Sequence, residues 1–200
     1  PQARRTGFLH ARGEYILCAD SDDWLSEGAL GRVVEEIRRT GADLIYFDLV
    51  KEYGDHQSIK REREYSAATR ELFIENIFGY RSPGYTVTKC FRRAIYTDNE
   101  IHTPRLSMHE DMCLMAQIIF YARSIVHLPE ILYHYRKDNP DSLCAQSRKV
   151  RHLASSRNML DLCEHYLDHL EGSPIEKVWG GLVLRAGWHA IIHKTDLWSE

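Results

Sequence analysis

Gly13-Glu14-Tyr15-Ile16-Leu17-Cys18-Ala19-Asp20-Ser21-Asp22-Asp23-Trp24-Leu25 reads as a buried strand that stops abruptly in carboxylates. The apolar run over 15–19 is the strand, and Trp24-Leu25 reads as an apolar anchor after the acids. Charge beside a low-dielectric core must be paired or coordinated, so acids here are badly placed for stability alone. In an open α/β sheet the carboxyl ends of strands are where ligands bind. Mg²⁺ typically takes one or two carboxylates together with substrate phosphates, which suits such a cluster. The competing reading is a polar turn, with Ser26 capping the next helix.

Outward from this stretch the chain alternates. Ser26-Glu27 is expected to start a helix that buries Leu30, Val33, Val34 and Ile37, with Arg38 and Arg39 in its last turn and Gly41 as C-cap. Residues 43–50 read as a strand, and strand–helix–strand in this span predicts a parallel sheet. The polar stretch 51–64, with Gly54-Asp55 as a turn signal, predicts an excursion or hairpin. Ser66 is expected to cap a helix carrying Leu72, Phe73, Ile77 and Phe78, and 85–91 reads as extended. A further helix is expected over about 109–123, then strands at 125–128 and 131–136 around Pro129-Glu130. From Gln146 the pattern predicts two helices divided by Gly172-Ser173-Pro174.

Composition narrows the class. The 200 residues are 44% hydrophobic and 28% charged, which is globular rather than disordered. A net charge of −3 lacks the basic footprint of a nucleic-acid binder. The 5 cysteines are scattered without a CxxC pair, which argues against a disulfide framework or zinc site and for a reducing compartment. No secretory signal opens the chain, and the apolar stretches near 112–121 and 178–192 fall short of the roughly 20 residues a span needs. With no initiator Met and a first strand only at residue 15, the chain reads as cut from something longer.

Motifs in a fixed order then point to a family. Ala3-Arg4-Arg5-Thr6-Gly7 resembles its A-R-N-x-G segment, and Ala11-Arg12-Gly13-Glu14-Tyr15-Ile16 its A-x-G-E-Y-I. Asp20-Ser21-Asp22-Asp23 resembles a D-x-D motif, and Lys89-Cys90-Phe91-Arg92-Arg93 a K-L-[FY]-R-R element. His109-Glu110-Asp111 resembles an E-D motif, and Tyr133-His134-Tyr135-Arg136 with Ser142 a Y-x-Y-R…S loop. From residue 3 to about 143 the chain resembles a family 2 glycosyltransferase of the GT-A fold. The resemblance implies an α/β, Rossmann-like nucleotide-diphospho-sugar transferase fold. It also implies that the N-terminal nucleotide-binding strand–helix–strand unit would precede residue 1. The expected organisation is the later part of the catalytic domain over 1–144, followed by a C-terminal helical extension over 145–200.

The resemblance further implies a metal-dependent, inverting transfer of a sugar from a nucleotide-diphosphate donor, UDP-linked, to a glycan or polysaccharide acceptor, free or lipid-linked. Asp22, with Asp20, would hold Mn²⁺ or Mg²⁺. Asp20 would also lie near the donor's ribose or sugar, while Asp23 is expected to be structural, capping the helix at Ser26. Asp111 is the expected base, with Glu110 about 100° away on the same helix. Burial and the like-charged neighbour would raise such a carboxylate's pKa. Arg4, His134, Arg136 and Ser142 are the expected donor contacts. Here Arg5 replaces the usual Asn, and Lys137-Asp138-Asn139-Pro140-Asp141 is more acidic than the usual loop. Lys89, Arg92 and Arg93 are read as structural or solvated. The setting implied is cytoplasmic surface-polysaccharide assembly, with membrane contact at most peripheral; the 178–192 segment reads as a helix packed on its own domain, with a membrane surface as the alternative. Two other readings compete: a non-catalytic domain that binds glycan or a partner, and a sugar-phosphate nucleotidyltransferase, against which the Glu110-Asp111 helix argues.

Overall fold

The computed structural model describes residues 1–105 and 110–138, together with 157, 158, 160–162, 164 and 165. The elements in chain order are α1 (Gln2–His10), β1 (Tyr15–Leu17), β2 (Trp24–Leu25), α2 (Ala29–Thr40), β3 (Leu44–Glu52), β4 (Gln57–Lys60), α3 (Arg70–Phe78), β5 (Lys89–Arg92), α4 (Arg93–Thr97), α5 (Glu110–Tyr121) and β6 (Ile125–Arg136). Short 3-10 turns at Ala67–Thr69 and Thr86–Thr88 lead into α3 and β5.

The strand order is β1-β5-β3-β6-β2, with β4 paired to the distal half of β3. The sheet is mixed rather than parallel: β3 and β6 run parallel, while β5 lies antiparallel between β1 and β3. Residues 15–17 and 44–52 thus keep the relative direction expected of a strand–helix–strand unit, but a later strand is inserted between them. Strand pairing across such a distance leaves no local trace in the sequence. The two strands expected around Pro129-Glu130 are one strand, whose ladder with β3 shifts register on either side of Asp48.

β3 is buried along most of its length, as its unbroken apolar run requires for a central strand. Leu44 and Tyr46 face one cluster with Phe73, Ile77, Met115 and Ile118 from α3 and α5. Ile45, Phe47 and Leu49 face another with Ala29 and Val33 of α2. Helices therefore cover both faces. Leu162, in the helical stretch within 157–165, is fully buried against the first cluster. The remainder of the expected 145–200 extension, the expected 178–192 segment and Ser142 lie outside the described residues.

Local signals held at the caps and turns. Gly41 ends α2 in the left-handed conformation at φ 62°, and Gly54 at φ 83° turns the β3–β4 hairpin. Ser66 and Thr69 form a reciprocal capping box. The start of α2 differs from expectation: the helix begins at Ala29 behind Gly28 at φ 74°, and Leu30 and Val34 point outward. Ser26 instead donates its hydroxyl to the Ile131 carbonyl at 2.9 Å, tying the chain to β6. Residues 2–10, read from sequence only as a motif, form α1, whose Phe8 packs edge-on against Phe91 and Tyr96.

Candidate active site

The stretch between β1 and β2 leaves one edge of the sheet and joins the other, held on the way to Tyr133 and Arg136 of β6. It is a tight turn, closed by the Asp23 N–H donating to the Asp20 carbonyl at 3.2 Å. The buried Tyr133 hydroxyl fixes it, accepting from the Asp20 N–H at 3.0 Å and donating to Asp23 Oδ2 at 2.8 Å. Asp23 Oδ1 accepts the Arg136 N–H at 2.8 Å. Asp23 clasps β6; it does not cap α2, where the sequence put it.

Arg4 gathers the acids. Its guanidinium contacts Asp20 Oδ1 at 3.3 Å, Glu110 Oε1 at 3.2 Å and Asp111 Oδ1. α1 holds this side chain in place because Phe8, one turn along, is locked into the core. Asp111 Oδ2 accepts the Thr86 N–H at 3.3 Å, so both of its oxygens are oriented. Gly84 lets the Thr86 loop approach α5: a Cβ there would meet Met112 Cγ at 2.8 Å.

The electrostatics follow from crowding. Burial, then Asp111, raises the Glu110 carboxyl, against the opposing pull of Arg4. Burial raises Asp20 and Asp23 as well, with Arg4 opposing at Asp20 and the Arg136 N–H and Tyr133 hydroxyl opposing at Asp23. Burial works against the Arg4 charge, but Asp111, Glu110 and Asp20 hold its pKa above the ordinary arginine value. Burial pushes the neighbouring Cys18 thiol up to about 12.

The other expected donor contacts are placed as follows. His134 stacks on Trp24, with ring centroids 5.1 Å apart, and its ring nitrogens contact Glu52 Oε1 at 2.7 Å and Ser26 Oγ at 3.1 Å. Trp24 is therefore not a buried anchor: it is 46% exposed and covers His134. Arg136 pairs with Asp138 at 2.7 Å. Tyr85, beside Thr86, meets Tyr135 edge-on at 5.8 Å. Lys89 is fully buried against Glu62 rather than solvated.

Nothing in the sequence marks Thr86 or Glu62, and Tyr133 and Lys89 enter from it only as motif residues with no part assigned at this site. A buried tyrosine must satisfy its hydroxyl, which is the one signal that could have found Tyr133. Among the described residues there is no group of three or more His, Cys, Asp or Glu side chains that could hold a metal ion by themselves. Asp20 and Asp22 on an open turn still fit Mg²⁺ or Mn²⁺, because such ions commonly complete their shell with waters and phosphates. No helix among the described residues is long and apolar enough to cross a membrane.

Residues 1–103 match the family described as Glycosyl transferase family 2. The chain is 28% identical over 142 residues to the putative glycosyltransferase EpsH of Bacillus subtilis, covering 66% of this chain and 40% of that protein. It is 27% identical over 156 residues to the poly(ribitol-phosphate) beta-N-acetylglucosaminyltransferase TarS of Staphylococcus aureus, covering 76% of this chain and 24% of that one. The crystal structure of S. aureus TarS 1–349 in complex with UDP-GlcNAc superposes with a TM-score of 0.70 at 18% identity, over 94% of this chain and 52% of that chain. That likeness shows a GT-A fold. The chain spans less than half the length of the curated relatives named here.

Proposed function

The chain belongs to glycosyl transferase family 2, and from that premise we propose that it serves metal-dependent, inverting transfer of a sugar from a UDP-sugar to a glycan or polysaccharide acceptor. The observation that carries the metal dependence is the charge imbalance around Arg4. One guanidinium is shared by Asp20, Glu110 and Asp111, with Asp22 and Asp23 on the same turn, and Arg136 is engaged by Asp138. A diphosphate entering so acidic a mouth would be repelled unless a cation came with it. A divalent ion held by Asp22 with Asp20 would supply that charge, neutralising the diphosphate as it leaves.

Asp111 is the base in this reading. An ionised carboxylate offers about four lone-pair sites. Arg4 and the Thr86 N–H occupy one on each oxygen, which leaves room for an acceptor hydroxyl. The hydroxyl proton passes to Asp111 while its oxygen bonds the anomeric carbon, and the bond to the diphosphate breaks on the opposite face. With one base and no carboxylate nucleophile assigned, the configuration inverts. Glu110 shares Arg4 and keeps that cation between base and donor. The proposed diphosphate contacts are Arg4 and, once its exposed pair with Asp138 opens, Arg136, whose backbone N–H holds Asp23. His134 and Ser142 complete the proposed donor contacts. UDP-GlcNAc is the first donor to test, because the TarS structure holds it. We further place the reaction at the cytoplasmic face, in bacterial polysaccharide assembly.

The test is thermal shift with UDP, GDP or CDP, each with and without Mn²⁺, together with UDP release from UDP-GlcNAc. A Mn²⁺-dependent shift for UDP that vanishes in Asp22→Ala supports the reading. A UDP shift that persists in EDTA or in Asp22→Ala overturns its metal dependence.

A further inference from the structure

Lys89 is fully buried, in β5, directly beneath the loop that reaches Asp111. Burying an ammonium is costly unless its hydrogens are satisfied and its charge is met. Glu62 Oε1, at 3.3 Å, meets the charge. Lys89 Nζ donates to Glu62 and also to the Pro83 carbonyl at 3.0 Å, the Tyr85 carbonyl at 3.2 Å and Thr88 Oγ1 at 3.2 Å, three acceptors of the neighbouring loop. These three all lie within 83–88, so one ammonium draws that loop into a single conformation.

Thr86 stands inside this clasp, flanked by the anchored Tyr85 and Thr88. Its N–H is the donor to Asp111 Oδ2. On the other side, Gly84 is wedged against Met112, the residue after Asp111. The loop therefore has its carbonyls turned down onto Lys89 and one N–H turned toward Asp111. A core packed from hydrocarbon would fill the space at Lys89 but would fix neither carbonyl. Glu62 Oε2 finds no hydrogen-bond partner among the described residues, so the pair is not optimised for stability alone.

We propose that Lys89, with Glu62 as its counter-ion, is the positioning residue for Asp111, acting through the 83–88 loop and the Thr86 N–H. This rests on the reading of Asp111 as base. Its chemistry is orientation: no proton leaves Lys89, and the ammonium sets where the Asp111 carboxylate stands relative to an incoming hydroxyl. A displacement of about 1 Å at such a group can cost ~100-fold in rate.

The test is built around Lys89→Met/Glu62→Gln, which removes both charges at near-constant volume and so avoids stranding either one. UDP release from UDP-GlcNAc with Mn²⁺ gives kcat and KM, and peptide-level hydrogen exchange reports the loop. The expected result is a cooperative melt near wild type, kcat down about 10- to 100-fold with donor KM within about threefold, and faster exchange in 83–88 but not in β3. Recovery of kcat alongside the melting temperature would make Lys89 merely structural and overturn the proposal.

Thr86→Pro covers the case in which the double variant does not fold. Tyr85 already has the extended conformation a following proline requires, and position 86 opens a 3-10 turn. This variant deletes the N–H and leaves Lys89 untouched. It should lower kcat without loosening 83–88, and an unchanged kcat overturns the proposal. Where turnover is too slow to read, exchange in the double variant decides: a rise confined to 83–88 and the first turn of α5 supports the proposal, and a uniform rise or none overturns it. Asp111→Asn with wild-type kcat would sink the base reading on its own, independently of the exchange result.

Discussion

The Tyr133 hydroxyl stands between the two ends of the acidic turn, accepting from the Asp20 N–H and donating to the Asp23 carboxylate. It is the buried post on which the proposed metal-binding stretch is hung. Tyr133→Phe removes the bond to Asp23 and leaves the Asp20 N–H without its acceptor. A hydrogen bond to a charged group typically contributes about 1.5–3 kcal/mol. Because Asp23 is partly exposed, the expected loss of unfolding free energy is about 1–2 kcal/mol, read by urea titration. Mn²⁺-dependent UDP binding should weaken more than global stability does, since the turn loosens before the sheet.

Asp111→Asn should leave the fold intact, because the amide keeps an acceptor for the Thr86 N–H. It removes the group proposed to take the acceptor proton. General-base contributions run about 10²–10⁴-fold, and kcat should fall within that range while UDP affinity changes little. Steady-state kinetics beside nucleotide titration checks both halves.

Gly84→Ala tests the close approach of the Thr86 loop to α5. The added methyl would lie 2.8 Å from Met112 Cγ and 3.0 Å from the Met112 Cα, and backbone yields less readily than a side-chain tip. Overpacking of this kind costs about 1–3 kcal/mol. The melting temperature should drop, and activity should fall further than the lost stability explains, because Asp111 lies next to the displaced Met112.

Glu110 gives a pH signature. Its folded pKa lies above the ordinary carboxylate value, through burial first and Asp111 second. A group raised in the folded state binds its proton more tightly there, so its stabilising contribution is complete below the unfolded pKa. That contribution is lost as pH rises through the folded value. Replacing it with a permanently neutral amide should therefore be relatively more favourable at neutral pH than at pH ~4. Chemical denaturation of wild type and Glu110→Gln at both pH values reads the sign directly. A variant relatively more stable at the acidic end would contradict it.

How far these features were legible from sequence depends on their range. The Gly41 cap, the Gly54 hairpin and the α5 helix each rest on residues within a few positions and are found where the pattern put them. The buried strand expected over 15–19 is instead a short edge strand, Tyr15–Leu17, with only Ile16 buried. The insertion of β5 between β1 and β3 was not legible, because pairing partners such as Ile16 and Phe91 are remote in sequence. The exposed Leu30 and Val34 followed the helical period but lie on the face away from the sheet, which periodicity alone does not distinguish from the buried one. At the candidate site the motif residues were legible one by one. The Arg4 bridge between Asp20 and Asp111 was not, and neither was the burial of Lys89.

The acidic stretch is also a strap of fixed length. Leu17 is held in register with Cys90 at one side of the sheet, and Trp24 with His134 at the other. The residues between them must therefore cover a set span while placing Asp20 at Arg4 and Asp23 at Tyr133. An inserted or deleted residue would pull one of those attachments out of place or break a ladder. The count of residues between Leu17 and Trp24 is thus constrained by the width of the sheet, independently of which side chains they carry. Its length is therefore a structural constraint of its own, separate from the roles of the carboxylates it carries.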